Sequence, residues 1–380
     1  VSEVDLNALK TLNTPAPSGW TPGVQWEGDT GHVTTTPKRA GQEPSKDEVN
    51  KILRESHLDP DEIIVDWSQK ASISTKIGAD SKMVECWYKL PITRKPERTF
   101  DVEDLLDNIY AEPSYPYEPR SGWRTIMLAD THIGKSAQDG GGSELLIQRW
   151  RDSVDRALDD GPFEGINLVL GGDLIEGYVS QHGKNIGGCD LTLTEQIRVA
   201  GHLVSDTVQK CLEAASEVIV AAIPGNHGES TRVSNVSMTD SFDIQIVNNV
   251  QQAIELAGLD DRVSFYYPEP NTGDVTYTAG GLTYAVVHGH RFSGGPVNGA
   301  EKWWAGQITN DRPAAAADVL LFGHFHGMRA WSWTARRWIM CAPALETQST
   351  WFANSTGATG NPGVLVFDDV DGKPANISIV

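Results

Sequence analysis

The segment Ile166–Glu176 reads INLVLGGDLIE: an apolar-rich run, two glycines, then an aspartate and, three residues on, a glutamate. A short apolar run closed by glycine is the pattern of a buried parallel strand whose carboxyl end turns out of the sheet. The form recurs along the chain. RTIMLADTH, Arg124–His132, brings a strand to Asp130 and His132. VIVAAIPGNHGE, Val218–Glu229, brings one to Asn226, His227 and Glu229. Val286 and Val287 lead into His288 and His290, and Leu321 and Phe322 lead into Gly323, His324 and His326. Ligand sites in α/β sheets lie beyond the carboxyl ends of strands, so these loops can meet in one place.

Between the strands the period is helical. Leu146, Trp150, Val154 and Leu158 fall four residues apart within a helix expected over Ser143–Asp160. Thr192 and Glu195 form a capping box that opens a helix to about Ala215, and Ser237–Leu256 reads as another. The remainder reads mostly as strands: Val263–Tyr267, Val275–Ala279, Leu282–Val287, Val319–Phe322, Met328–Trp333, Trp338–Cys341 and Val364–Phe367. A βαβ start followed by a strand-rich half predicts a layered α/β sandwich, with mixed sheets flanked by helices, over residues 122–380.

Upstream the pattern is weaker. Residues 1–44, rich in Pro, Gly and Thr, read as an arm or linker. Residues 45–100 read as a small α+β accessory module. Ser45 and Glu48 form a capping box, Val49, Ile52 and Leu53 make one helix face, and Glu62–Trp67 and Lys82–Leu90 are strand-like. Residues 101–121 read as a connector. The window holding Lys89, Arg94, Lys95 and Arg98 against Glu97 alone is a candidate phosphate-backbone contact. A sheet edge protected by charge explains it almost as well.

The chain has 380 residues, 39% of them hydrophobic, with 37 glycines and 20 prolines, which suits a loop-rich globular protein. Its net charge of -20 repels nucleic acid at long range, so a general DNA-coating role is disfavoured and any nucleic-acid binding must be local or metal-mediated. Cys86, Cys189, Cys211 and Cys341 are scattered without the spacing of a zinc or redox motif, which points to reduced thiols in an intracellular protein. No apolar run has the length of a bilayer span, and Val1–Thr14 lacks a signal-peptide core, so the expectation is a cytoplasmic protein without a membrane partner.

A lone strand-end Asp or His is more often a cap or a satisfied polar contact than a ligand. Here six of the ten histidines sit at these strand ends, which makes chance placement a poor account. Carboxylate, imidazole and amide oxygen suit Mn, Fe or Zn rather than a thiolate-loving ion.

The five motifs, D-x-H, G-D-x-x-E, G-N-H, H-G-H and G-H-x-H in this order, resemble the calcineurin-like metallophosphoesterase superfamily over residues 122–380. Gly171–Gly177 followed by Leu191–Arg198 is further similar to the Mre11/SbcD-like nucleases encoded by actinobacterial viruses. The resemblance implies two divalent metals, manganese first with iron or zinc as alternatives. Asp130, His132 and His326 would hold one, Asn226, His288 and His324 the other, and Asp173 would bridge them. It implies His227 as the catalytic histidine. Ions about 3.5–4 Å apart would then activate a shared water for in-line attack on phosphorus. The family often places an acid directly after that histidine; here Gly228 intervenes before Glu229, which leaves open what orients His227. Glu176 sits where several of these nucleases have a histidine, and His290 is either a competing ligand or a neighbour of one.

Other features bear on the substrate. Gly140–Gly142 lacks the lysine of a P-loop and reads as a flexible loop. The loop Tyr178–Asp190, with His182 and Lys184, follows Asp173 and is expected to line the cleft. Of the C-terminal tryptophans, Trp331, Trp333, Trp338 and Trp351 read as packing. Trp303 and Trp304 follow the His288–His290 loop together with Arg291 and Lys302, and are candidate contacts to unpaired bases. The readings in play are a DNA nuclease, a phosphodiesterase or phosphatase on nucleotides or phosphoproteins, and a non-catalytic scaffold. The first carries a DNA partner. By family resemblance it also carries a homodimer and an SbcC/Rad50-like ATPase, although helices for docking that ATPase are not evident in the sequence.

Overall fold

The computed structural model describes residues 16–28, 30–39, 41–77, 83–95, 100–109, 122–136, 141–232, 236–346 and 361–380. The chain forms two compact units, Val1–Pro96 and Glu97–Val380.

The N-terminal unit is organised by one long strand. Strands β1 (Gly23–Glu27), β2 (Thr30–Thr34), β3 (Lys38–Arg39), β4 (Ile63–Val65), β5 (Ala71–Ile77) and β6 (Met83–Arg94) form one sheet. β2, β3, β4 and β5 all pair with β6. Helix α1 (Lys46–Glu55) lays Val49, Ile52 and Leu53 on Val33, Ile63, Leu90 and Ile92. Leu53 and Leu90 are fully enclosed, so truncating either to Ala costs about 2–5 kcal/mol. Ser45 caps α1 through the Glu48 amide, but the Glu48 carboxylate turns to Lys38 at 2.5 Å, so only half of the expected capping box forms.

Two expectations change here. Residues 23–39, read as part of an arm, supply three strands; the pieces are too short and too rich in turn residues to show a period. Of the basic window, Lys89 lies on β6 with partners on both sides and Arg94 ends that strand beside Ile63, so Lys89 is not on a sheet edge.

The larger unit has four layers. One sheet runs β10-β9-β8-β7-β16-β17, with β7 (Trp123–Leu128), β8 (Phe163–Leu170), β9 (Ala215–Ala222) and β10 (Val263–Tyr266) mutually parallel. β16 (Leu365–Asp369) and β17 (Pro374–Ile379) close it antiparallel. The second sheet runs β11-β12-β13-β15-β14. Its β12 (Leu282–Val287), β13 (Val319–Phe322) and β15 (Trp338–Cys341) are parallel, flanked by β11 (Asp274–Ala279) and β14 (Arg329–Ser332).

Alternation along the strands sets the layers. Ile126, Leu128, Leu168, Leu170, Val218 and Val220 face helices α3 (Gly142–Leu158), α4 (Leu193–Ala214) and α5 (Phe242–Leu256). Met127, Val169, Ile219 and Ala221 face the second sheet. That sheet's far side, with Leu320, Phe322 and Ile339, receives Ala300 and Trp304 of α6 (Gly295–Thr309). A buried polar chain crosses between the sheets. Tyr277 donates to Asn167 at 2.9 Å, Asn167 donates to Thr125 at 3.2 Å, and the Thr125 and Tyr284 hydroxyls meet at 3.0 Å.

This is the mixed-sheet, helix-flanked sandwich expected from the sequence. The stretch Asp101–Pro119, read as a connector, contains α2 (Val102–Ile109), whose Val102 and Leu106 enter the large core. α5 begins at Phe242, behind a Ser241 cap, rather than at Ser237. α4 carries the complete capping box of Thr192 and Glu195. No described helix is long and apolar enough to cross a membrane.

Candidate metal centre

The carboxyl ends of β7, β8, β9, β12 and β13 deliver the strand-end residues to one place. Asp130 (φ 52°), His132 (φ 48°), Asp173 (φ 54°), His324 (φ 67°) and His326 (φ 53°) all have left-handed backbones. Each costs about 1–2 kcal/mol for a residue with a Cβ, and such strain concentrated on polar residues of one cleft is a mark of function.

Three clusters of donor atoms result: His132 with Glu176 and His227, and two made of the candidate ligands alone. Asp130, His132 and His326 form one, and Asp173, His288 and His324 the other, with ligand atoms within 4.8 Å of one another in each. In the first, the Nε2 atoms of His132 and His326 are 3.3 Å apart, and His326 Nε2 is 3.4 Å from Asp130 Oδ1. In the second, His288 Nε2 is 2.9 Å from Asp173 Oδ2, while its Nδ1 faces the Gly171 carbonyl at 2.8 Å. The clusters adjoin: Asp130 Oδ1 is 3.9 Å from His288 Nε2. Asn226 lines the same cleft as His324, and among the described residues no donor reaches its buried Oδ1. Buried carboxylates, imidazoles and a bare amide oxygen fit divalent ions of the Mn, Fe or Zn kind.

Around these sit groups that turn the candidate ligands. Glu176 Oε2 lies 3.1 Å from His132 Nδ1 and 3.2 Å from His227 Nδ1. The two histidines hold its carboxyl far below the usual range against the opposing effect of burial. Burial lowers the His227 pKa, but Asp173 and Glu176 together raise it to about 9. Glu346, just past β15, lies 2.7 Å from His326 Nδ1 and also pairs with Lys135. Asp243, in the first turn of α5, accepts from the amides of Asp173, Leu174 and Gly225 at 3.1, 3.0 and 2.9 Å. Burial, then Asp173, pushes its pKa up to about 6.

Asp243 also explains the departure at Gly228: a Cβ there would collide with the Asp243 carboxylate. An acid cannot follow His227 in this chain, and Glu176 reaches the ring from the neighbouring strand end. Glu229 instead pairs with Arg232 at 3.0 Å. Gly225 is required for a similar reason, since a Cβ would run into Asp173.

The other candidate residues divide. His290 and Arg291 line the cleft beside Asn226 and His324, and Arg291 donates to His290 at 3.2 Å. Burial and the neighbouring His288 lower the His290 pKa to about 3, so it is a neutral ring. It joins none of the donor clusters. The side chains of His182 and Lys184, and Gly140, Trp351 and Arg98 entirely, lie outside the described residues. Lys89 donates to the Gly19 carbonyl at 2.7 Å and lies over the Trp20 ring, and Arg94 lies over Trp26. Lys95 is exposed. Trp304 is fully buried, whereas Trp303 is half-buried.

Glu346, Asp243 and Lys135 do not stand out in the sequence as the candidate ligands do. Glu346 carries a signal, because WIMCAPALE is another apolar strand running to a single acid. Asp243 carries none, being one more acid in the first turn of a helix.

No protein-family model and no curated protein matches the chain. Among solved structures, Vps29 of Entamoeba histolytica with zinc is 11% identical, covering 68% of this chain and 98% of that one at a TM-score of 0.30. A predicted phosphoesterase from Streptococcus pneumoniae is 12% identical, covering 65% and 83% at 0.30. Vps29 of Chaetomium thermophilum is 10% identical, covering 66% and 86% at 0.31. Overlaps this shallow carry no weight, and the function has to be read from the side chains themselves.

Proposed function

We propose that this chain is a two-metal phosphoesterase of the calcineurin-like kind that hydrolyses phosphodiesters, with DNA strands as its substrate and manganese as its ion. The observation that carries this reading is the pair of adjoining donor clusters, Asp130–His132–His326 and Asp173–His288–His324, with the bare Asn226 oxygen beside the second. Iron and zinc suit the same donors. Two bound ions supply Lewis acidity toward phosphoryl oxygens and lower the pKa of water to near neutrality.

The chain's own groups do the rest. His227 Nδ1 is engaged by the Glu176 carboxylate and, at 3.0 Å, by the Glu176 carbonyl, which leaves Nε2 to give a proton to the departing oxygen. Arg232 and Arg291 line the cleft of about 560 Å³ and attract an anionic ester.

The test is turnover of single-stranded DNA, duplex DNA and a small generic phosphodiester side by side, with Mn2+ added. Hydrolysis of the diester and of DNA is expected. A protein that binds two ions yet turns over none of the three would fit the scaffold reading instead.

A further inference from the structure

The metal cleft does not end at Arg291. A hollow of about 230 Å³ shares His290, Arg291 and Met238 with it, and a third of about 730 Å³ shares Arg291, Phe292, Trp303 and Arg312 with the second. The three hollows adjoin through these shared residues. Charge across them is uneven. Glu229 and Asp240 accompany Arg232 and Arg291 at the metal end, and Asp274 accompanies Arg291 and Arg312 in the middle, whereas the distal hollow holds Arg291, Lys302 and Arg312 with no acid in its described lining. All three cations are exposed, in a chain of net charge -20. Half-buried Trp303 lies between the middle and distal hollows, and its ring is set at 6.0 Å from Phe292. Gln307 adds an amide to the distal wall, where Asn310 Nδ2 already donates to the Gly306 carbonyl at 2.7 Å.

We infer that this distal hollow is a subsite for a single-stranded nucleic acid, holding nucleotides beyond the one placed at the metals. Lys302 and Arg312 neutralise backbone phosphates, and Trp303 offers a face to an unpaired base. Phosphate-tracking cations beside a stacking ring are what strand binding without sequence preference requires. The inference rests on the phosphodiesterase reading and names its substrate as an extended strand.

The test is fluorescence anisotropy with labelled oligo-dT of about 4 to 16 nucleotides, the span of common strand-binding site sizes. It is done in EDTA, so binding is read whether or not the metal reading holds. Lys302→Glu with Arg312→Glu should weaken binding about tenfold or more. The slope of log K against log salt should become shallower by about 1.4, which is about 0.7 for each phosphate that is no longer neutralised. An abasic chain of equal length should bind the unmodified protein about fivefold more weakly, the equivalent of one stacked base. With Mn2+ restored, the double variant should cut the long oligonucleotide poorly relative to a small diester. Lys302→Gln with Arg312→Gln should give the same pattern, half as large, and guards against misfolding by the charge reversal. Oligonucleotide affinity within twofold of the parent in both variants would overturn the subsite. Equal affinity for abasic and base-bearing chains, or stronger binding of duplex, would overturn its assignment to a single strand. If the parent fails to hydrolyse even the small diester while the distal hollow still binds oligo-dT, the phosphodiesterase reading has failed and the strand-binding site has not.

Discussion

Glu176 holds His227 twice, through its carboxylate at 3.2 Å and its backbone carbonyl at 3.0 Å, both at Nδ1. The same carboxylate oxygen is 3.1 Å from Nδ1 of His132, so one acid orients a candidate ligand and the candidate acid together. Glu176→Gln keeps the shape and removes the charge. It should cut kcat about 10–100-fold, the usual range for outer partners of ligating histidines, with KM for a small diester little changed. Metal analysis should still find two ions per chain. A variant with parental kcat would show that Glu176 is only filling space.

The His227 proton has a pH signature. Its pKa is raised to about 9, so the protonated ring is present below that pH and lost above it. Bound cations add positive charge nearby and move the limb lower. For an ester with a poor leaving group, kcat should therefore fall on the alkaline side at or below pH 9. For a nitrophenyl ester, whose leaving group needs no proton, that limb should be absent. His227→Ala should lose about 10²–10⁴-fold on the first ester and less on the second. Identical pH profiles for the two esters would argue against an acid role.

Asp173 is the proposed bridge between the two ions. Asp173→Asn tolerates the left-handed backbone and removes the charge. It should lower metal content from two ions per chain to one or none, and full occupancy would sink the bridging assignment. In the parent, chelation should lower the melting temperature. Ions present at 100 times their Kd contribute about 2.7 kcal/mol.

Strain at the ligands predicts the reverse for an apo variant. His324→Gly relieves a φ of 67° and removes only a half-buried ring. In EDTA it should be at least as stable toward denaturant as the parent, while losing metal and turnover. A loss beyond about 2 kcal/mol, more than the left-handed penalty itself, would mean that packing by the ring outweighs backbone strain.

The unit Val1–Pro96 has its own core and contributes none of the candidate ligands. Deleting it should leave small-diester hydrolysis within severalfold of the full chain. Lys89 and Arg94 are already engaged by Gly19, Trp20 and Trp26, so the salt slope of oligonucleotide binding should hardly change. A slope shallower by about 0.7 or more would return a phosphate-binding role to this unit.

The candidate ligands are legible in the sequence because each sits in a local pattern, a buried strand running directly into a polar pair. Of their supports, Glu176 belongs to one of these patterns and Glu346 ends a similar run, whereas Asp243 carries no local signal. Glu346 and Asp243 reach the centre through tertiary packing, from beyond β15 and from the start of α5. Helix α6, GPVNGAEKWWAGQIT, escapes a reading by pattern because three glycines and a proline give it little intrinsic helicity. Burial of Ala300 and Trp304 against the second sheet stabilises it instead. Strands β1 to β3 read as an arm because each is too short to reveal alternation, and they are secured by pairing centred on β6 and by packing of Val24, Trp26 and Val33 on the small core.

The Thr125–Asn167–Tyr277–Tyr284 chain acquires a further meaning from where the ligands originate. Asp130, Asp173 and Asn226 come from the sheet that carries Thr125 and Asn167; His288, His324 and His326 come from the sheet that carries Tyr277 and Tyr284. Each candidate metal seat therefore draws ligands from both sheets, and sliding one sheet by a single residue, about 3.3 Å, would pull each seat apart. The hydroxyl and amide pins fasten the two sheets to each other in this register. The geometry of the proposed metal seats is thus open to tuning from a tyrosine that contributes no ligand.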